Sequence, residues 1–266
     1  MTAPAPSGTV VLVGCGRLGS AIIEGWLATE AVAPSDLIIL TPSEKPAAET
    51  ARARGARVNP PLEQLADARA LVLAVKPALW PEALAGPVAH LPPTAVVLSV
   101  MAGVRASDIA ALAGRPTARV MPTTAVAQAK GVAAIWSADA TARAAARTLF
   151  EPLAEIVDLE AEDQIDAATA VAGSAPAFIY AFVQALAEAG EAQGLPTDAS
   201  HRLARGALRS SGAGAETGEP LDSLIARIAS PGGTTRAGLD AMAETGDLAR
   251  AAASAVEAAV RRARQL

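Results

Sequence analysis

Thr9-Val10-Val11-Leu12-Val13-Gly14-Cys15-Gly16-Arg17-Leu18-Gly19 runs from an unbroken apolar stretch into three glycines, and a helix-like segment, residues 18–29, follows. A short valine-rich run without polar alternation reads as a strand buried on both faces. The glycines fall as G-x-G-x-x-G, each with its own task. Gly14 permits a tight turn out of the strand, Gly16 lets backbone approach a pyrophosphate, and Gly19 lets helix pack on strand. The bare motif is weak. Between a strand and a helix, at the start of an alternating region, it predicts a dinucleotide site, with Arg17 and Leu18 in the first helical turn.

Further strand-like runs lie at residues 37–40, 71–75, 96–100 and 118–121, each short, aliphatic and bounded by Gly, Pro, Ser or Thr. Helical segments at 47–54 and 107–112 separate them, and strands near 132–136 and 156–159 flank a helix near 140–153. Apolar strands alternating with helices predict a parallel sheet covered on both faces, an α/β Rossmann-type domain. From about residue 161 the pattern changes. Residues 163–171, 177–193, 199–210, 221–228, 235–243 and 248–265 all read as helices, separated by Gly- and Pro-containing breaks. The boundary falls near Glu160, giving a dinucleotide-binding domain over 1–160 and an all-helical substrate and dimerisation domain over 161–266.

Composition narrows the function classes. The chain is 52% hydrophobic but only 3% aromatic, with mean hydropathy +0.32. Alanine and valine supply much of this, which predicts small-faced helices and apolar surface hidden between subunits. No segment of about 18 residues is uniformly apolar, so no membrane span is expected. Residues 1–8 lack a basic region and a long apolar stretch and read as a short leader rather than a signal peptide. A net charge of −5 without a basic stripe argues against nucleic acid. One cysteine, Cys15, fits a reducing cytoplasm. With only two histidines beside it, no transition-metal site is expected. His201, in an alanine- and arginine-rich helix, reads as a surface residue.

The strand ends supply the remaining candidates. In NAD enzymes an acidic residue after the second strand binds the ribose hydroxyls. Here Thr41 stands in that place, and Ser43 and Lys45 are placed to meet a 2′-phosphate, so NADPH is favoured; Glu44 keeps NADH open. Val75-Lys76-Pro77 closes another strand, and Lys76 is one of three lysines. Met101-Ala102-Gly103 and Pro122-Thr123 end the next two, at the carboxyl edge where open α/β sheets bind ligands. In the helical region Gly173-Ser174-Ala175-Pro176 interrupts the first helices, as a kink or as room for a cofactor ring or a partner helix.

One further segment carries most of the chemistry: Ser230-Pro231-Gly232-Gly233-Thr234-Thr235-Arg236-Ala237-Gly238-Leu239. Proline and two glycines make a turn that opens a helix beside two hydroxyls. Free N–H groups at such a helix start hold a small carboxylate without a cationic side chain. Read alone, the segment is an ordinary turn and cap.

In order and spacing these motifs closely resemble the pyrroline-5-carboxylate reductase family, which makes proline. The resemblance runs from Gly14 to the last helix and is most specific at residues 230–239. It implies a dinucleotide-binding domain followed by a helical domain that intertwines with a second subunit. It also implies hydride transfer from NADPH, with NADH as the second cofactor, to the cyclic imine 1-pyrroline-5-carboxylate. Ser230, Gly232, Gly233, Thr234 and Thr235 would then hold the substrate carboxylate, with the Thr235 hydroxyl near the ring nitrogen as the catalytic group. Three positions depart from the family pattern: Thr123 replaces an asparagine, Ala175 a glycine and Phe178 a tyrosine. They leave open a reductase for a different cyclic imine. A nucleotide-binding protein without activity is the alternative from another class. A 3-hydroxy-acid dehydrogenase would carry a lysine in its helical domain, and residues 161–266 contain none.

Overall fold

The computed structural model describes residues 8–265; the expected leader, apart from Gly8, lies outside them. Eight strands form one sheet: β1 (Thr9–Val13), β2 (Leu37–Leu40), β3 (Arg57–Val58), β4 (Ala68–Leu73), β5 (Val96–Ser99), β6 (Thr117–Pro122), β7 (Gly131–Trp136) and β8 (Ala154–Asp158). Their order is β3-β2-β1-β4-β5-β6-β7-β8. The chain runs outward from β1 to β3 and then crosses back to β4. The direction of winding therefore reverses between β1 and β4, where open sheets of this kind leave a crevice. Helices α1 (Arg17–Thr29), α2 (Pro46–Ala53), α3 (Trp80–Val88), α4 (Ala106–Ala113) and α5 (Ala140–Phe150) complete the region.

Two apolar clusters fill the two faces. Val10, Leu12, Leu37 and Ile39 join α1, α2 and α5 on one side. Val11, Val13, Leu71 and Leu73 join Leu84 and Ile109 on the other. Trp26 is wholly buried and donates its indole N–H to the Leu149 carbonyl at 2.8 Å, fastening α1 to α5.

The structure corrects the strand pattern in three places. The sheet is parallel except at β7, which pairs antiparallel with β6. Residues 123–130 are too few for a crossover of about a dozen, so the chain can only fold back beside itself. The strand expected over 71–75 is β4 at Ala68–Leu73: its pairing with β1 and β5 ends at Leu73, because the partner strands end at Val13 and Ser99. A two-residue edge strand, β3, and helix α3, which contains Pro87, gave no periodic signal.

The chain divides into two compact units after Gly173, and the first also takes in the end of the last helix from Ala259. The sequence places the boundary near Glu160. The intervening helix α6 (Gln164–Ala168) belongs to the sheet unit because Ile165 packs with Met121 and Ala134. A π-helical segment, Thr169–Ser174, leads into α7 (Ala175–Ala192). The widened turn precedes Pro176, which has no N–H to donate backward.

The second unit holds α7, α8 (Thr197–Ala215), α9 (Leu221–Ile228), α10 (Thr234–Thr245) and most of α11 (Asp247–Ala263). Helices α7 and α8 approach closely: the Ser200 hydroxyl donates to the Ala187 carbonyl at 2.6 Å, and a side chain at Gly190 would collide with it. Much of this unit's apolar surface is uncovered. Tyr180 is 63% exposed, Leu203 61%, Leu221 67% and Ile228 71%. By length and composition alone, the helical run Gln164–Ala192, with mean hydropathy 1.5 in its most apolar window, is sufficient to cross a membrane. The sequence reading, which demanded an unbroken apolar run, expected none.

Candidate functional site

The loop after β1 is built by exclusion of side chains. Gly14 has φ +98°, and a Cβ there would meet the Ala74 carbonyl oxygen at 2.6 Å. Its N–H donates to the Leu40 carbonyl at 2.8 Å, extending the sheet one residue past β1. A Cβ at Gly19 would collide with the Gly14 carbonyl oxygen. Gly16, the residue that caps α1, has nothing within 4 Å of a Cβ position. No side chain caps α1 and no acidic residue occupies its first turn. Free N–H groups and an unobstructed approach at Gly16 fit a pyrophosphate. Arg17 is exposed beside them and Leu18 half-buried.

The next loop holds the groups expected to select the cofactor. Thr41 is buried, and its hydroxyl donates to the Ser43 carbonyl at 3.0 Å. Ser43 and Glu44 are exposed; Lys45, at the start of α2, is half-buried. Sequence reasoning missed Asn59. Its amide embraces Thr41 on both sides, accepting from the Thr41 N–H at 2.9 Å and donating to the Thr41 carbonyl at 2.8 Å. Asn59 sits at φ +49°, a conformation asparagine tolerates better than most residues. The available signal was an asparagine before two prolines, just past a short Arg-Val strand.

The remaining first-unit candidates line the strand ends. Val75 and Lys76 follow β4 in a loop rather than closing the strand, Lys76 exposed, and Pro77 opens a short 3-10 turn, Pro77–Leu79. Met101 is buried and its N–H donates to the Ser99 hydroxyl at 3.3 Å; Gly103 has φ +73°. Pro122 is the last residue of β6. Thr123 is fixed by two bonds to Val132: its N–H donates to the Val132 carbonyl at 3.0 Å, and its hydroxyl accepts from the Val132 N–H at 3.2 Å. A Cβ at Gly173 would touch the Met121 sulfur at 3.4 Å, so the π segment lies against the end of β6.

The substrate candidates all lie in the second unit. Ser230 to Gly233 form a four-residue turn, with the Gly233 N–H donating to the Ser230 carbonyl at 3.0 Å and Gly232 at φ +71°. Proline second and a positive-φ glycine third are the chemistry of a type II turn. This bond occupies the Gly233 N–H, which therefore cannot serve an anion as well. The free groups at the start of α10 are the N–H groups of Thr234, Thr235 and Arg236; the first intrahelical bond runs from Ala237 to Gly233. The Ser230 hydroxyl oxygen lies 2.6 Å from where a Gly233 Cβ would stand. Among the described residues neither Thr234 nor Thr235 has a side-chain hydrogen bond. His201 pairs with Glu191 at 3.3 Å on the surface.

Comparisons with known proteins find family matches in both parts of the chain. Residues 162–266 match the family "Pyrroline-5-carboxylate reductase dimerisation". Residues 9–103 match "NADP oxidoreductase coenzyme F420-dependent". A pyrroline-5-carboxylate reductase of Thermus thermophilus is 33% identical over 97% of this chain and 98% of its own. The structure of a pyrroline-5-carboxylate reductase from Coxiella burnetii superposes with TM-score 0.86 at 25% identity, covering 98% of both chains. The fold is also shared by a Plasmodium falciparum pyrroline carboxylate reductase with NADP bound, at TM-score 0.79 and 24% identity over 97% of this chain and 98% of that one.

Two substitutions separate the roles of the glycines. Gly16→Ala should leave the melting temperature of the free protein unchanged while weakening NADPH binding, because no protein atom lies within 4 Å of its Cβ and the methyl would stand in the approach to the helix start. Gly19→Ala should lower stability as well, by about 1–3 kcal/mol, since overpacking against backbone cannot relax cheaply. Calorimetry and thermal melts with and without cofactor read both; a Gly16→Ala protein that binds NADPH normally contradicts the cradle.

Proposed function

The chain belongs to the pyrroline-5-carboxylate reductase family, and from that premise we propose that it reduces 1-pyrroline-5-carboxylate to L-proline, with NADPH preferred over NADH. The observation that carries the reading is the turn at residues 230–233, which opens α10 with three free N–H groups and two unpartnered threonine hydroxyls, in a chain that also holds the glycine cradle.

Gly14, Gly16 and Gly19 would hold the pyrophosphate at the start of α1, with Val75, Lys76, Pro77, Met101, Ala102, Gly103, Pro122 and Thr123 along the strand ends. The cofactor supplies the hydride that adds to the imine carbon, while the ring nitrogen keeps a proton. The N–H groups of Thr234, Thr235 and Arg236 bind the substrate carboxylate, aided by the end of the helix dipole. Gly232 and Gly233 shape the turn, and Ser230 adds a hydroxyl beside it. The Thr235 hydroxyl assists the proton at the ring nitrogen. A protonated imine accepts hydride readily, so these groups suffice without a histidine base. The single cysteine is consistent with work in a reducing cytoplasm.

Purified protein should oxidise NADPH and yield proline when given pyrroline-5-carboxylate; no proline above background with either cofactor rejects the activity. Within that assay, Thr235→Ala should lower kcat by about ten- to a thousandfold with little change in KM, the span from one hydrogen bond to full proton assistance. Ser230→Ala should raise KM and spare kcat, because the helix N–H groups still bind the carboxylate. The reverse pattern means the roles are wrongly assigned.

NADPH preference rests on Thr41, which offers no carboxylate to repel a phosphate, and on Ser43 and Lys45 nearby. Lys45→Ala should narrow the ratio of kcat/KM values by about tenfold, or about 1.4 kcal/mol. Equal efficiency with both cofactors in the parent enzyme would refute the charge argument.

Homo-oligomerisation follows from the dimerisation-family match. We place the interface on the exposed apolar faces of α7, α8 and α9, as an obligate dimer. Light scattering at micromolar concentration should read at least twice the chain mass; a monomer contradicts it.

A further inference from the structure

Glu162 precedes α6 in sequence, yet its carboxylate reaches three other places in the sheet unit. Its Oε1 accepts from the Ala106 N–H at 2.7 Å and lies 3.3 Å from Nη1 of Arg119; its Oε2 lies 3.6 Å from Arg105. Ala106 is the first residue of α4, whose own cap residue, Arg105, supplies no side-chain bond. A carboxylate from 56 residues away in sequence therefore takes the capping role. The loop it anchors is the one that carries Met101, Ala102 and Gly103.

Arg119 lies on β6, two residues before Met121. Its side chain is only 5% exposed, and Glu162 is its ion-pair partner. Its Nε and Nη2 are buried without a partner among the described residues. A buried guanidinium so poorly served elsewhere must stay with its carboxylate. Arg105 adds a 2.8 Å pair with Asp163, and Asp163 followed by Glu162 pushes the Arg105 guanidinium pKa further up, so it remains charged. Beside this network a cavity of about 420 Å³ is lined by Gly103, Arg105, Arg119, Asp163, Asp166 and Arg264.

We propose that Glu162 is a positioning residue for the reduction: one carboxylate ties the β5–α4 loop to Arg119 within β6, and so sets the two strand-end walls assigned above to the cofactor. The proposal rests on the functional reading above, which assigns those walls to the cofactor. It concerns the chemical step, because the adenine end is held elsewhere, by the loops after β1 and β2.

The test compares Glu162→Gln, which keeps an acceptor for the Ala106 N–H but loses the charge, with Glu162→Ala, which loses both. On the full-length protein, three quantities are read: binding of adenosine 2′,5′-bisphosphate, kcat with pyrroline-5-carboxylate and NADPH, and the primary isotope effect with NADPH deuterated at C4. Glu162→Ala should lower kcat by about ten- to a hundredfold, the scale of a 1 Å misplacement, with a smaller loss for Glu162→Gln. The isotope effect should rise, and adenosine bisphosphate should bind within about twofold of the parent, since its site is untouched. Parental kcat per bound bisphosphate, or a parallel loss of bisphosphate binding, overturns the proposal and leaves Glu162 a structural ion pair. If the single variants do not fold, R119M/E162Q removes both charges and is judged by the same readings; its failure to fold also overturns the proposal. A parent that binds the bisphosphate but reduces no imine fails the functional reading and this proposal together. An active parent with unaltered Glu162 variants fails this proposal alone.

Discussion

The first helix can lie against the first strand only because Gly19 has no side chain where the Gly14 carbonyl oxygen stands. That approach has consequences in both directions along the chain. It brings α1 low enough for Trp26 to reach Leu149 on α5, which closes one face of the sheet. It also points the start of α1 at the carboxyl edge of β1 and β4, where winding reverses and a crevice opens. Gly14 meets a second limit from Ala74 in the same place. Packing at this turn is thus set by the same two missing Cβ atoms, whereas a Cβ at Gly16 between them would meet no protein atom within 4 Å.

Legibility in the sequence followed the range of the interactions involved. Periodicity and glycine spacing are local, so β1, β2, β5, α1 and the turn before α10 could be read directly. The antiparallel step from β6 to β7 depends on connection length, which an apolar run does not encode. The extent of β4 is decided by where its partner strands stop. Asn59 and Glu162 act across long separations, on Thr41 and on Ala106 and Arg119 respectively, and no spacing rule links such pairs. Gly233 shows the same limit at short range. The sequence predicts a glycine-rich turn with free donors, but only the hydrogen bond to Ser230 reveals which donor is already occupied.

The helical unit shows what an alanine-rich composition does. Small residues at Ala187, Gly190 and Ser200 let α7 and α8 come close, but they leave too little side chain to fill a core from one chain. The larger apolar groups, among them Tyr180, Leu203 and Ile228, remain outside. The run Gln164–Ala192 shows the same combination: its hydropathy is membrane-like, yet only 11% of its most apolar window is buried in one chain. Burial against a second copy and burial in lipid make similar demands on composition, and the dimerisation-family match favours the first.

Charge placement separates the helix starts proposed to bind anions from the others. An acidic residue occupies the first turn of α2, α3, α4, α6, α8, α9 and α11, where it complements the helix dipole. The starts of α1 and α10 have none, and no side chain caps either. Helix α5, also without one, is capped by Asp139, and α7 continues from the π segment. Among the described helices α1 and α10 thus combine free donors with a glycine-shaped approach, and those are the two starts proposed for anions, a pyrophosphate and a carboxylate. The same choice serves the chemistry. A side-chain carboxylate next to a protonated imine would stabilise its positive charge, which hydride transfer removes, and so would bind the ground state more tightly than the transition state. Neutral N–H and hydroxyl groups, in the role proposed for them, would hold the substrate without that penalty.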